Sequence, residues 1–287
     1  MPFLLFYLAY PFIYLIALLP FNALYKVSGL LYHVLRLTGY RQSVVLENLR
    51  NSFPDKKKGE IDVLSKAYYR YLCDLILETV KTLTMTEQEA REHCLFHRAE
   101  WLDKYFNEKR SIILVMGHYG NWEWAGPSFT INTNFQLVVI YQPLSNPYFE
   151  KMMVRTRTKF GTKITPVNQT LRDMVARRGM ISATALIADQ TAPGDNPFWT
   201  TFLHQDTAVF TGPEKLSKKF DYPVVYIHVK RVKRGYYELF PELLFANPKE
   251  TIENEISEGF MKRLEKEILI NPSFWLWSHR RWKHKRP

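Results

Sequence analysis

Ser111-Ile-Ile-Leu-Val-Met-Gly-His-Tyr-Gly-Asn-Trp-Glu-Trp124 is where the chain changes its period. Residues 111–116 form a short, continuous apolar run rich in branched side chains, the pattern of a strand buried on both faces. Gly117 and Gly120 then loosen the backbone, and Asn121 is a good N-cap, so a strand, a turn and a helix are expected in that order. Working downstream, 135–141, 182–188 and 222–229 are further strand-like runs, and 236–240 is expected to add an edge strand. Helical segments separate them at about 122–131, 146–159, 168–178, 213–220 and 251–270. Strand alternating with helix predicts an α/β fold, a mostly parallel central sheet with helices on both faces.

Upstream of this stretch the spacing is helical, over 26–51, from about 60 to 83, and over 87–109, with a solvated turn at 55–58. Residues 1–25 carry no charge. About 20 apolar residues span a bilayer core, so this run is expected to be a membrane anchor. Pro11 and Pro20 would kink it into a tilted or re-entrant form. No Lys or Arg precedes it, which argues against a cleaved signal peptide. Lys26, Arg36 and Arg41 place the following chain on the cytoplasmic side. A buried apolar hairpin is the competing reading. The expected organisation is an anchor at 1–25, a helical membrane-proximal segment at 26–109 and an α/β catalytic core at 110–287.

Thirty-nine basic against 28 acidic side chains give a formal charge of +11, which attracts polyanions. Charge alone does not separate nucleic acid from anionic lipid or an acidic carrier protein; the uncharged amino terminus favours the last two. Cys73 and Cys94 follow no ligand spacing, so neither a disulfide framework nor a structural zinc site is expected. No metal-ligand cluster is visible.

The chemistry concentrates at His118 and Glu123. In open α/β sheets ligands bind beyond the carboxyl ends of the strands, and His118 sits at such an end. On one continuous helix five residues would rotate the two side chains apart. A turn between them lets the Glu123 carboxylate fold back onto the imidazole, so the expectation is a His118–Glu123 dyad that takes a proton from a substrate hydroxyl. Asn121 is read as an N-cap or a substrate contact. Asp189 and Gln190 close a strand at the same edge of the sheet, where a substrate-binding role stands beside simple turn formation. Arg280, Arg281 and Lys283 interleave with Trp275, Trp277 and Trp282, a mixture suited to a lipid headgroup surface or an acidic carrier.

Gly117-His-Tyr-Gly-Asn-Trp-Glu123 resembles the first block of the bacterial lipid A late acyltransferases, within the larger glycerolipid acyltransferase superfamily. The resemblance continues through Tyr141-Gln-Pro-Leu-Ser-Asn-Pro147, Arg155-Thr-Arg157 with Phe160-Gly161, Ala188-Asp-Gln190 and Val209-Phe-Thr-Gly-Pro213. It reaches the terminal Trp275-Leu-Trp-Ser-His-Arg-Arg-Trp-Lys283, and Asn48-Leu-Arg-Asn-Ser-Phe-Pro54 looks like the family's membrane-proximal segment. It departs at Phe210-Thr-Gly212, where members usually carry Phe-Phe-Gly. The resemblance implies transfer of an acyl chain from acyl-carrier protein to a hydroxyl of a lipid A precursor, at the cytoplasmic face of the bacterial inner membrane. The acyl thioester is then a co-substrate and no cofactor is expected. The same pattern implies that one of Arg155 and Arg157 binds a phosphate or the developing oxyanion. An aminolipid or lysophospholipid acceptor stays open, as does a non-catalytic membrane protein that binds lipid or carrier.

Overall fold

The computed structural model of the chain describes residues 2–97, 100–190 and 197–286. A helical prelude comes first: α1 (Pro2–Leu18), α2 (Phe21–Leu37), α3 (Gln42–Ser52), α4 (Lys58–Lys81) and α5 (Glu87–His93). The α/β part continues with β1 (Cys94–Phe96), α6 (Glu100–Asn107), β2 (Ile112–Met116), α7 (Trp122–Asn132), β3 (Gln136–Tyr141), α8 (Pro147–Thr158), β4 (Lys163–Pro166), α9 (Thr170–Ala176) and β5 (Ser182–Ile187). A hairpin of β6 (Phe198–Phe202) and β7 (Gln205–Val209) follows, then α10 (Gly212–Phe220), β8 (Val224–Lys233), β9 (Tyr236–Phe245) and α11 (Glu255–Ile270).

The main sheet has seven strands in the order β1-β9-β8-β2-β5-β3-β4. Every neighbouring pair is parallel except β8 with β9. All five residues of β2 are buried, because its side chains alternate between two cores. Ile113 and Val115 face a cluster with Val45, Leu49, Tyr68 and Leu75 of the prelude and Leu264 of α11. Ile112, Leu114 and Met116 face the other cluster, with Leu102 of α6 and Trp124 and Phe129 of α7. The strand expected at the edge, β9, lies inside the sheet; the edge is β1, three residues long and too short to carry a period of its own. The stretch 87–109, a mixed segment expected to be helical, is interrupted by a strand that begins at Cys94.

The helical run expected over 26–51 breaks where Gly39 and Arg41 take positive φ, turning α2 into α3. The uncharged amino terminus is also divided, between α1 and the start of α2, with Pro20 at the break. Among the described residues no helix is long and apolar enough to cross a membrane. The 17 residues of α1 reach roughly 26 Å at a helical rise, short of the ~30 Å hydrocarbon layer. Its carboxyl end is tied to the body, since Lys81 donates to the carbonyls of Ala17 and Leu19 at 3.3 and 3.0 Å. Phe6 stacks on Tyr148 and meets Phe149 edge-on at the start of α8. The outward side of α1 leaves Phe3, Leu8, Phe12 and Leu15 more than half exposed.

Candidate active site

The turn between β2 and α7 is built by close approaches. A Cβ on Gly117 would stand 2.6 Å from a Leu264 methyl and 3.3 Å from Asp189 Oδ2. Gly120 has φ +60, and a Cβ there would meet the Val229 carbonyl oxygen at 2.9 Å. The turn is then bonded on every side: Gly120 N–H donates to the Phe274 carbonyl at 2.9 Å, Tyr71 hydroxyl to the Gly120 carbonyl at 2.5 Å, and Leu276 N–H to the His118 carbonyl at 3.1 Å. Asn121 is fully buried. Its Oδ1 accepts the Trp124 N–H at 3.0 Å, and its Nδ2 donates to Glu78 at 2.8 Å. Both ends of its amide are committed, so Asn121 is a helix cap and the expected substrate contact is corrected. Glu78 also accepts from Tyr25 and Tyr237, while burial pushes its pKa up.

His118 does not take Glu123 as its carboxylate. Its Nδ1 lies 2.6 Å from Asp189 Oδ1, and its backbone N–H donates to Asp189 Oδ2 at 2.9 Å. Asp189 is buried, and Trp275 Nε1–H adds a third bond at 2.7 Å. Burial alone would raise the Asp189 pKa; the His118 imidazole and these hydrogen bonds outweigh it and hold the carboxyl below its ordinary value. A carboxylate at Nδ1 fixes the proton there and leaves the Nε2 lone pair as the base. Gln190 places its amide nitrogen 3.2 Å from that Nε2, where a substrate hydroxyl would donate. The Trp122 ring lies edge-on to the imidazole, with centroids 5.0 Å apart.

Glu123 turns instead to Arg157, which clamps it through Nε at 3.0 Å and Nη2 at 2.6 Å. The physical reason is α7 itself: Glu123 sits in its first turn, facing α8, whereas His118 leaves β2 toward the neighbouring strand β5. Of the two arginines singled out in the sequence, Arg157 joins this pair and Arg155 is exposed. Asp189 and Gln190 are both brought to His118, as their place at the same sheet edge anticipated. In the sequence Trp275 stands out for a surface role and Glu78 not at all, because their actual roles depend on contacts 86 and 43 residues away.

The carboxyl-terminal tryptophans are not a surface girdle. Trp275 and Trp277 are buried, and Trp282 packs against Trp275 at 5.9 Å. Arg281 is buried too, its Nη2 donating to the Ala208 carbonyl at 2.7 Å, which corrects its assignment to a membrane or carrier surface. Arg280 and Lys283 are exposed. The segment works as a strap that delivers Trp275 to Asp189 and is pinned by Asn48, which donates to the carbonyls of Trp277 and His279, both at 2.9 Å.

An imidazole backed by a buried carboxylate at the carboxyl edge of a parallel sheet is equipped to deprotonate an alcohol. The sequence matches the profile of the bacterial lipid A biosynthesis acyltransferases over residues 2–284. The chain belongs to this family. It is therefore an acyltransferase, similar to the lipid A biosynthesis palmitoleoyltransferase of Escherichia coli (strain K12), with 24% identity over 248 residues, 85% of this chain and 79% of that protein. The lipid A biosynthesis acyltransferase of Shigella flexneri matches with the same identity and coverage. In this acyltransferase the family block 117–123 thus divides its two acid–base side chains between two partners.

Proposed function

We propose that the acyltransferase moves a fatty acyl group from an acyl thioester to a hydroxyl of a lipid A precursor, with His118 as general base. The observation that carries this reading is the His118–Asp189 contact, which leaves Nε2 as the proton acceptor. The acceptor hydroxyl displaces the Gln190 amide, gives its proton to Nε2 and attacks the thioester carbonyl. The tetrahedral oxyanion collapses, the carbon–sulfur bond breaks, and the thiolate recovers the proton from Nε2. Asp189 stabilises the imidazolium between those steps. Arg157 spends Nε and Nη2 on Glu123, and its Nη1 is left to donate to the oxyanion.

Acyl-carrier protein is the donor we favour, because an acidic carrier complements a chain of net charge +11. The exposed apolar side of α1 would bed in the inner membrane from the cytoplasmic side. The test is acyl transfer in purified membranes by wild type and His118→Ala. The reading expects transfer to fall to background in the variant. Retained transfer by a folded His118→Ala protein removes it, and transfer to an aminolipid or lysophospholipid alone would reassign the acceptor.

A further inference from the structure

On the other side of the His118 turn from Arg157, two cavities open at the carboxyl end of β8. The larger, about 510 Å³, is lined by residues of α2 and α4 together with Arg231, Arg234 and Phe274. The second, about 390 Å³, lies between β8 and α11 and shares Arg231 and Phe274 with the first. Arg231 is the partition between them. Its side chain is 12% exposed, its Nη2 donates to buried Asp74 at 2.8 Å, and its guanidinium lies 5.3 Å from the Phe274 ring centre. A guanidinium has five N–H donors, and the described residues offer Arg231 no other acceptor. Arg70, exposed over the Tyr32 ring, has no acid partner among the described residues, and Lys266 lines the second cavity beside Glu242.

We propose that this trough binds a phosphate group on the headgroup of the acceptor lipid, an inference that rests on the lipid-acceptor reading above. Three observations converge on it. The lining charge is positive: six lysine and arginine side chains stand against three carboxylates, Asp74, which holds Arg231 and Arg234, Glu242, which holds Arg263, and Glu267. Buried Asp74 fixes the Arg231 and Arg234 guanidiniums from one side and leaves their remaining N–H groups for the planar geometry that phosphate oxygens accept. The trough also reaches the reacting turn: Tyr71 and Phe274 in its wall hold Gly120, two residues from His118, so the two backbones are within about 7 Å. Finally, α2 lines the cavity with Ser28, Gly29 and Tyr32 while leaving Leu30, Val34 and Leu37 exposed. One helix thus offers a headgroup pocket and an apolar face for the attached chains.

Gly29 permits a test without touching a charge. A Cβ there meets nothing within 4 Å, so Gly29→Leu starts without a clash at Cβ and puts its bulk at the cavity wall, and Arg70→Glu reverses one rim charge. Kinetics with the full chain in detergent should raise the acceptor KM about tenfold or more in each variant, a loss equal to one charge-assisted contact, with the donor KM within about twofold of wild type. Inorganic phosphate should inhibit competitively against the acceptor, more weakly in Arg70→Glu, and phosphatase treatment of the acceptor should reproduce the rise in KM. A donor KM that rises instead assigns the site to the donor's phosphate and overturns the proposal, as does an unchanged acceptor KM in both folded variants. Broadening of the ³¹P signal of inorganic phosphate by wild type but not Arg70→Glu reads the site independently of acyl transfer. Phosphate binding without transfer would sink the proposed function and leave the site standing; transfer without phosphate binding would do the reverse.

Discussion

At one end of the site a buried carboxylate, Asp189, backs an imidazole whose second nitrogen faces Gln190. At the other end, five residues further along the chain, the Glu123 carboxylate is gripped at two points by the Arg157 guanidinium. Both are short pairs, but only the first contains an imidazole, which can donate from one ring nitrogen while accepting at the other. The second is a two-point ion pair, able to position and to donate. The difference teaches that two acid–base residues in one sequence block need not be one catalytic unit: the turn between them sends each to a different strand–helix partner.

The sharpest way to break this comparison is to neutralise each carboxylate in turn. Asp189→Asn keeps the shape but favours the wrong imidazole tautomer, and kcat should fall on the order of 10³- to 10⁴-fold. Glu123→Gln should cost about 10²-fold, through a misplaced Arg157 and not through a lost base. Its pH–rate profile should keep the wild-type shape, whereas that of Asp189→Asn should be altered. Equal losses with equal profile changes would mean that the two carboxylates do one job.

Trp275→Phe probes the strap behind Asp189. It removes a charge-assisted donor from a buried carboxylate, which should lower kcat about tenfold and stability by roughly 1–3 kcal/mol. Unfolding curves and single-turnover rates measure the two effects separately. Unchanged values for both would mean that the strap plays no part in holding Asp189.

The smallest effect concerns His279, which lies at the Asp189 end, where burial lowers its pKa to about 4 and the charges of Asp189, His118, Arg281 and Arg41 add to the balance. Because the folded pKa lies below the ordinary 6.5, the unfolded chain binds a proton first as pH falls. Stability from this group is thus complete above about 6.5 and lost as pH drops toward 4, a change on the order of 1–2 kcal/mol after screening. His279→Gln should flatten that slope in thermal melts from pH 7 to 4. An identical slope in the variant would place the acid sensitivity elsewhere.

Much of this architecture was legible because it rests on local pattern. The apolar runs at 111–116, 135–141, 182–188 and 222–229 are buried strands in the structure, and the intervening helices fall within a few residues of their expected bounds. The strand starting at Cys94 and the placement of β9 were not legible, since three paired residues and a neighbour relation leave no period to read. At the site, His118, Arg157, Asp189 and Gln190 could be named from their positions at one sheet edge or in a family block. Who pairs with whom could not, because Asp189 reaches His118 across 71 residues through strand adjacency. The terminal tryptophans misled for a related reason: aromatic and basic residues alternate on a membrane surface and on a strap folded into the core alike, and burial, not composition, separates the two.

The most direct measurement is the downfield proton resonance of the His118 ring in the chain labelled with ¹⁵N-histidine. Its Nδ1 proton, shared with Asp189, should give a resolved low-field signal that survives Glu123→Gln and disappears in Asp189→Asn. A signal that vanishes with Glu123 and persists without Asp189 would contradict the account.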